Sequence, residues 1–122
     1  MVICERKCMG AFLVARAFFA GSDLCVLVCG GEAPHIGCVS IGIPRTSLTG
    51  DGSSSATVST YSVTGHKDDV VGNLFAKRLA SSLKCVVSVT CGIHYHNASP
   101  EVLSSVLQEA EALLEELVAA LE

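Results

Sequence analysis

One stretch of the sequence decides the fold: Cys85-Val86-Val87-Ser88-Val89-Thr90-Cys91-Gly92-Ile93-His94-Tyr95-His96-Asn97-Ala98-Ser99-Pro100. Its first part, residues 85–91, is apolar and β-branched and is followed by a glycine, which is typical of a buried strand. Its last residues predict the start of a helix, because Ser99 can cap the first turn and Pro100 suits the first helical position. The stretch therefore predicts a central strand that leads into the final helix.

Two histidines lie between this strand and this helix. His94 and His96 are separated by one residue, so they point to the same side if the chain is extended there. They also lie next to a helix N-terminus, where backbone amide groups can bind an anion. A hydrophobic core has no need for two imidazoles at this point, so the segment is a candidate ligand site.

The remaining elements follow from hydrophobic periodicity. The pattern predicts four strands before the stretch: Met9–Ala20, Leu24–Cys29, Ile36–Ile43 and Ser55–Val63. The turn signal Gly21-Ser22-Asp23 predicts that the first two form a hairpin. Pro44 is expected to end the third strand, and residues 45–54 are expected to form a long loop. A helix is predicted after Gly65, with Asp68 and Asp69 in or capping its first turn. The final helix is predicted from about Pro100 to Leu121.

These elements follow one another in the order β-β-β-β-α-β-α. We expect a single α+β domain over residues 1–122, with a mixed, mainly antiparallel sheet of about five strands and two helices on one face. The strands are apolar on both faces and the final helix carries a broad apolar stripe. We therefore expect a homodimer or a higher homo-oligomer.

Composition narrows the classes of function. Eight Lys and Arg residues against twelve Asp and Glu give a formal charge of −4, so binding to nucleic acid is not expected. No apolar run reaches the length of a transmembrane helix, and Arg16 interrupts the N-terminal apolar run, which argues against a signal peptide. The seven cysteines are odd in number and mostly lie in apolar runs. We interpret them as reduced structural cysteines, and we expect a cytoplasmic protein without a membrane partner.

Strand directions predict that all four histidines lie at one edge of the sheet. If the second to fourth strands alternate in direction and a helix joins the fourth strand to a parallel fifth, the exits of strands two, four and five meet. The loops that leave these strands carry His35, His66, and His94 with His96. Open sheets with helices on one face commonly bind ligands at the carboxyl ends of their strands.

The residues leave two chemistries open for this edge. Clustered imidazoles suit a divalent metal such as Zn, Mn, Fe or Ni, and they also suit an anionic or aromatic ligand. For an anion, Lys67 and Arg45 could neutralise a phosphate held at a helix N-terminus. The sequence contains no glycine-rich nucleotide fingerprint, no P-loop, no nucleophile elbow and no His-Glu-x-x-His motif.

Three short motifs, in this order and spacing, carry a resemblance to a known family: residues 33–37, residues 65–69 and residues 92–101. They read Ala33-Pro34-His35-Ile36-Gly37, Gly65-His66-Lys67-Asp68-Asp69 and Gly92-Ile93-His94-Tyr95-His96-Asn97-Ala98-Ser99-Pro100-Glu101. With them the chain resembles the LpdD-like prenylated-flavin chaperones, which are associated with gallate and related hydroxyarylic acid decarboxylases. The resemblance covers most of the chain, from about Val26 to the final helix.

The resemblance implies a protein that binds prenylated flavin mononucleotide (FMN), or FMN, and hands it to a decarboxylase of the UbiD type. It favours a chaperone without turnover over an enzyme. Together with the strand argument it gives the cofactor-binding candidates Pro34, His35, Arg45, His66, Lys67, His94 and Asn97. The candidate metal ligands are His35, His66, His94 and His96. The alternative function is a small metal-dependent hydrolase or lyase with a histidine-cluster centre and Asp68 or Asp69 as base.

Overall fold

A computed structural model describes residues 1–63 and 68–122. Over this part of the chain it contains six strands and two helices in the order β-β-β-β-β-α-β-α. Their bounds are β1 Val2–Cys8, β2 Ala11–Ala20, β3 Asp23–Gly31, β4 Cys38–Thr46, β5 Ser54–Ser62, α1 Asp69–Leu83, β6 Val87–His94 and α2 Pro100–Leu121.

The strands form one mixed sheet in the order β1-β2-β3-β6-β4-β5. β6 lies between β3, to which it is parallel, and β4, to which it is antiparallel. Since β4 is also antiparallel to β5, the strands β3, β5 and β6 all run in one direction. Their carboxyl ends therefore meet at one edge, as the sequence predicts. We call this edge, where β3, β5 and β6 end, the carboxyl edge.

Both helices cover the same face of the sheet. Helix α1 packs on β4, β5 and β6, and α2 packs on β1 and β2. Alternate strand residues point towards the helices and form the core with Phe75, Leu79, Leu113 and Leu117, all of which are fully buried. The α+β architecture with two helices on one face of a mixed sheet is confirmed.

Helix α1 approaches the sheet closely because Gly42 on β4 has no side chain. A Cβ atom at Gly42 would overlap the carbonyl oxygen of Ala76 on α1. Next to this contact a partly buried polar cluster links two strands to the helix, and its members are Ser40, Thr60 and Asn73. Close packing thus holds α1, and with it the start of the helix, in one place over the sheet.

Three predicted boundaries are wrong. The first predicted strand, Met9–Ala20, begins at Ala11 as β2, because Met9 and Gly10 both take positive φ and turn the chain there, and the strand before this turn, β1, was not predicted. β4 continues through Pro44, since β6 pairs with β4 only as far as Gly42 and the proline then lies where that side of β4 is unpaired. Residues 47–53 alone connect β4 to β5, so the long loop is shorter than expected.

The sheet face that points away from the helices is apolar in part and exposed. Its exposed apolar side chains, which we call the open face, are Ile3, Phe12, Phe18, Val39, Ile41, Ile43 and Tyr61. All seven cysteines fall within the described residues, and each is a free thiol. Among the described residues no helix is long and apolar enough to cross a membrane.

Candidate functional site

Three segments meet at the carboxyl edge: the β3–β4 loop, the end of β6 and the start of α1. The β3–β4 loop crosses the end of β6, where Gly37 N–H donates to the carbonyl of Cys91 at 2.9 Å. The crossing needs a glycine in β6, because a Cβ atom at Gly92 would overlap the carbonyl oxygen of His35. The backbone of the loop therefore lies directly on the strand that ends in His94.

Asp68 ties these three segments together. The residue is 7% exposed, and its Oδ1 accepts a hydrogen bond from the Ile93 N–H at 2.8 Å. Its Oδ2 lies 3.0 Å from Nε2 of His35. Asp68 occupies the N-cap position of α1 and Asp69 lies in the first turn, as expected, but the Asp68 side chain makes no capping hydrogen bond. The carboxylate holds the site together instead.

His35 is fixed by both of its ring nitrogens. Nδ1 lies 3.0 Å from the carbonyl oxygen of Ala33, and Nε2 faces the carboxylate of Asp68. A carbonyl oxygen can only accept, so Nδ1 carries a proton, and an ionised carboxylate requires a proton on Nε2 as well. His35 thereby connects the β3–β4 loop to the start of α1.

His94 and His96 continue from His35 as a row of three imidazoles. The ring centroids of His35 and His94 are 6.2 Å apart, and those of His94 and His96 are 5.2 Å apart, both nearly edge to face. The backbone N–H of His96 donates to Oε1 of Glu32 at 3.2 Å. The His94 ring is exposed and makes no hydrogen bond within the described part of the chain, so its nitrogens are available to a ligand.

Tyr95 anchors the segment that carries these histidines. It is buried, and its hydroxyl donates to the carbonyl of Cys8 at 2.7 Å, which links the β6–α2 connection to the end of β1. Burial raises the pKa of the Tyr95 phenol above its ordinary value. With Tyr95 buried between them, His94 and His96 both face solvent.

An apolar groove opens beside His94. Its volume is about 590 Å³, and it runs between the first turns of α1 and the first turns of α2. Asp68, His94 and Tyr95 contribute to its lining, and the apolar residues of its walls are Val70, Val71, Ile93, Ala98, Val102, Leu103, Val106 and Leu107. We call this cavity the interhelix groove. Its volume lies within the range of small-molecule sites.

The structure brings together some of the predicted site residues and separates others. Pro34 and His35 lie in the β3–β4 loop, His94 ends β6, and His96 and Asn97 lie in the β6–α2 connection, so all five residues are at the carboxyl edge. Arg45 does not join them. It lies near the end of β4, which runs the other way, and its Nε donates to Oγ1 of Thr57 at 2.9 Å. His66 and Lys67 lie outside the described residues.

The metal hypothesis gains no support from this arrangement. Within residues 1–63 and 68–122, no group of three His, Cys, Asp or Glu side chains is placed to hold a metal ion. In this arrangement both nitrogens of His35 face oxygen atoms, so its ring offers no lone pair to a metal. The prediction that includes His66 stays a prediction.

Sequence reasoning missed the interhelix groove. The apolar residues Val102, Leu103 and Val106 were counted in the broad apolar stripe of the final helix, from which a homo-oligomer was predicted. Only the position of α1 relative to α2 shows that part of this stripe lines a cavity. One signal was present in the sequence: Val70 and Leu103 are apolar residues in the first turns of two helices that both begin at the carboxyl edge.

Comparison with known proteins decides the family. The sequence model described as prenylated flavin chaperone LpdD-like domain matches residues 8–122. The chain belongs to this family. The resemblance carried by the three motifs is thereby confirmed, and a chaperone role is supported.

Comparison with solved structures supports the fold alone. A chain from the crystal structure titled as a novel chaperone complex for yeast 20S proteasome assembly is similar over 100% of both chains, with a TM-score of 0.55 and 14% identity. No curated protein matches significantly in sequence.

Proposed function

We propose that this LpdD-like protein binds prenylated FMN at the carboxyl edge and delivers it to a decarboxylase of the UbiD type. The proposed cofactor-binding residues are Pro34, His35, His66, Lys67, His94 and Asn97. Arg45 is left out because it lies near the opposite edge of the sheet. The protein acts as a carrier that holds the cofactor without turning over a substrate.

One observation carries the proposal: a polar row of imidazoles and an apolar cavity are continuous with each other through His94. A flavin combines a ring system that has polar edges with apolar surface, and it has an anionic phosphate tail. The exposed imidazole of His94 suits the polar edge, and the interhelix groove suits the apolar surface. The residues present therefore fit the cofactor that the family is named for.

The exposure of the site suits delivery. His94, His96 and Asn97 are all exposed, and the site lies at the rim of the sheet, so a partner enzyme can reach a bound cofactor. A resident cofactor of an enzyme is usually enclosed, since binding sites bury most of a ligand's surface. We infer that the open site allows the flavin to pass directly to a decarboxylase.

A transfer experiment tests the proposal. The protein is loaded with prenylated FMN, separated from free cofactor and mixed with the apo form of a UbiD-type decarboxylase. We expect decarboxylase activity to rise in proportion to the loaded protein added, and to reach a limit at one flavin per active site. Loaded protein that leaves the apo enzyme inactive, while free prenylated FMN activates it, would contradict delivery.

Metal removal gives a second test at the same site. Because both nitrogens of His35 face oxygen atoms, we expect flavin binding to be unchanged after treatment with a chelator. The affinity for prenylated FMN before and after dialysis against EDTA is the measurement. A loss of binding that added Zn²⁺ or Mn²⁺ restores would reinstate the metal centre.

A further inference from the structure

The interhelix groove has apolar walls that the protein itself leaves uncovered. Val70 on α1 is 59% exposed and Leu103 on α2 is 56% exposed, although each lies within the first turns of its helix. Exposed apolar residues that face each other across a cavity mark binding sites more often than isolated surface residues do. The groove therefore suits an apolar ligand group that fits within its volume of about 590 Å³.

We propose that the interhelix groove receives the hydrocarbon part that distinguishes prenylated FMN from plain FMN, and that it sets the preference for the prenylated cofactor. This inference rests on the proposed function. His94 and Asp68 line the polar end of the same groove. In the proposed arrangement the polar edge of the flavin contacts His94 and the added hydrocarbon lies between α1 and α2.

The size of the preference follows from apolar burial. Plain FMN leaves the exposed side chains of Val70 and Leu103 in contact with water on the groove side, whereas a five-carbon prenyl group displaces that water. Each methylene that is buried contributes roughly fourfold in affinity. A prenyl group buried by about half therefore favours prenylated FMN over FMN by roughly ten- to a hundredfold.

Two variants and a matched control test the groove. Leu103→Ser makes one wall polar, and Ala98→Phe places a ring in the mouth of the groove. Leu48→Ser is the control, because Leu48 is 88% exposed in the β4–β5 connection, at the opposite edge of the sheet. Affinities of each protein for FMN and for prenylated FMN are measured by titration, and melting curves confirm that every variant folds.

The expected result is a change in the ratio of the two affinities. Wild type and Leu48→Ser should prefer prenylated FMN by roughly ten- to a hundredfold. Leu103→Ser should lower the affinity for prenylated FMN by roughly three- to tenfold and leave that for FMN unchanged, and Ala98→Phe should abolish the preference.

Other outcomes separate this inference from the proposed function. If wild type binds both flavins with equal affinity, or if Leu103→Ser lowers both affinities equally, the groove does not recognise the prenyl group. The proposal that the protein binds a flavin is unaffected by either result. If Leu103→Ser leaves both affinities unchanged and weakens only the complex with the decarboxylase, the groove docks protein and the inference is wrong. If wild type binds neither flavin, the proposed function fails as well.

Discussion

At the scale of single residues, the histidines of this site divide into two roles. His35 has both nitrogens engaged, with Ala33 and with Asp68, and so it organises the loop. His94 presents an exposed ring with nitrogens that are open to a ligand within the described part of the chain. Sequence alone treated these two imidazoles as equivalent ligands. The difference arises from the buried carboxylate of Asp68, which is paired with one of them and not with the other.

The role of Asp68 gives the first prediction. Asp68→Asn keeps an acceptor for the Ile93 N–H but removes the charge that faces His35. We expect a loss of about 1–3 kcal/mol in the free energy of unfolding, because a charge-assisted bond of a buried group is lost. Urea unfolding of this variant and of the neighbouring Asp69→Asn is the measurement. Equal stability of the two variants would show that the pair with His35 contributes nothing.

The buried phenol of Tyr95 gives the second prediction, which concerns alkaline pH. Burial raises the pKa of Tyr95 in the folded state, so the folded protein keeps this proton after the unfolded chain has lost it. The stabilisation is fully present below about pH 10, the ordinary pKa of tyrosine, and is lost as the pH rises further. Tyr95→Phe should therefore show a shallower loss of stability above about pH 10 than wild type.

The same variant has an effect at neutral pH. Tyr95→Phe leaves the carbonyl of Cys8 without its 2.7 Å donor, which should cost about 1 kcal/mol or more. Melting temperatures of wild type, Tyr95→Phe and the control Tyr61→Phe are compared between about pH 8 and pH 11. Tyr61 is exposed on the open face, so its variant should follow wild type throughout. If the melting temperature of Tyr95→Phe also falls with pH in parallel with that of wild type, the raised pKa of Tyr95 is refuted.

At the scale of elements, the position of α1 decides where the groove and Asp68 lie. The helix sits close to β4 because Gly42 lets the carbonyl of Ala76 approach the strand. The β-α-β path from β5 through α1 to β6 then brings the start of α1 to the carboxyl edge, beside the end of β6. The site is thus a consequence of strand direction and of one close helix-to-strand contact.

This contact gives the third prediction. Gly42→Ala forces a methyl group against the carbonyl of Ala76, so α1 must shift away from the sheet. We expect the free energy of unfolding to fall by about 1–3 kcal/mol, the usual cost of overpacking a core. Ser59→Ala, an exposed change on the adjacent strand β5, is the control and should stay within about 0.5 kcal/mol of wild type. If Gly42→Ala leaves the free energy of unfolding unchanged, α1 is not packed tightly against β4 at this position.

Elements with strong local signals were predictable from the sequence. An element that contains a charged residue on its inward face, and depends on a distant partner to neutralise that charge, was not. Helix α2 was predicted over its full length, because its serine cap and apolar stripe are local features. Strand β1 was not predicted, because the charged residue Arg6 lies on its inward side. Two carboxylates of α2 neutralise this charge: Arg6 pairs with Glu109 at 2.6 Å and with Glu116 at 2.5 Å. A partner more than a hundred residues away leaves no local trace in the sequence.

For the site, strand directions were enough to place three histidines at one edge. Topology follows from the order of elements and from the handedness of the β-α-β connection, and both can be read from sequence. The direction in which a side chain turns at the end of an element cannot be read in this way. Asp68 was therefore expected either to cap α1 or to act as a base in a histidine cluster, and its pairing with His35 in particular could not be predicted.

At the scale of the whole molecule, the open face is the largest feature that one chain leaves unexplained. Its apolar side chains include Val39, Ile41 and Ile43 on β4, and Phe12 and Phe18 on β2. Exposed apolar side chains grouped on one face of a sheet mark a protein interface more often than scattered surface residues do. The stripe of α2 is largely buried within the chain, so the predicted homo-oligomer now rests on the open face.

The fourth prediction follows from this surface. We expect wild type to be a dimer at micromolar concentration and Ile41→Glu to be a monomer, because a carboxylate in an apolar interface loses its hydration without gaining a partner. Light scattering is the measurement. Leu48→Glu is the control, because it places the same charge on an exposed apolar residue of the β4–β5 connection, and it should leave the molecular mass in solution unchanged. A wild-type monomer would end the oligomer hypothesis.

We propose that the carboxyl edge binds prenylated FMN through His94. The most direct test is to purify the protein from a host that makes this cofactor and to record the mass and absorbance spectrum of the ligand that copurifies with it. We expect wild type to carry prenylated FMN at close to one per chain, and Glu115→Ala, an exposed change on α2, to do the same. His94→Ala should bind roughly ten- to a hundredfold more weakly and retain little or none. Folded wild type without flavin, or His94→Ala with the full amount, would contradict the claim.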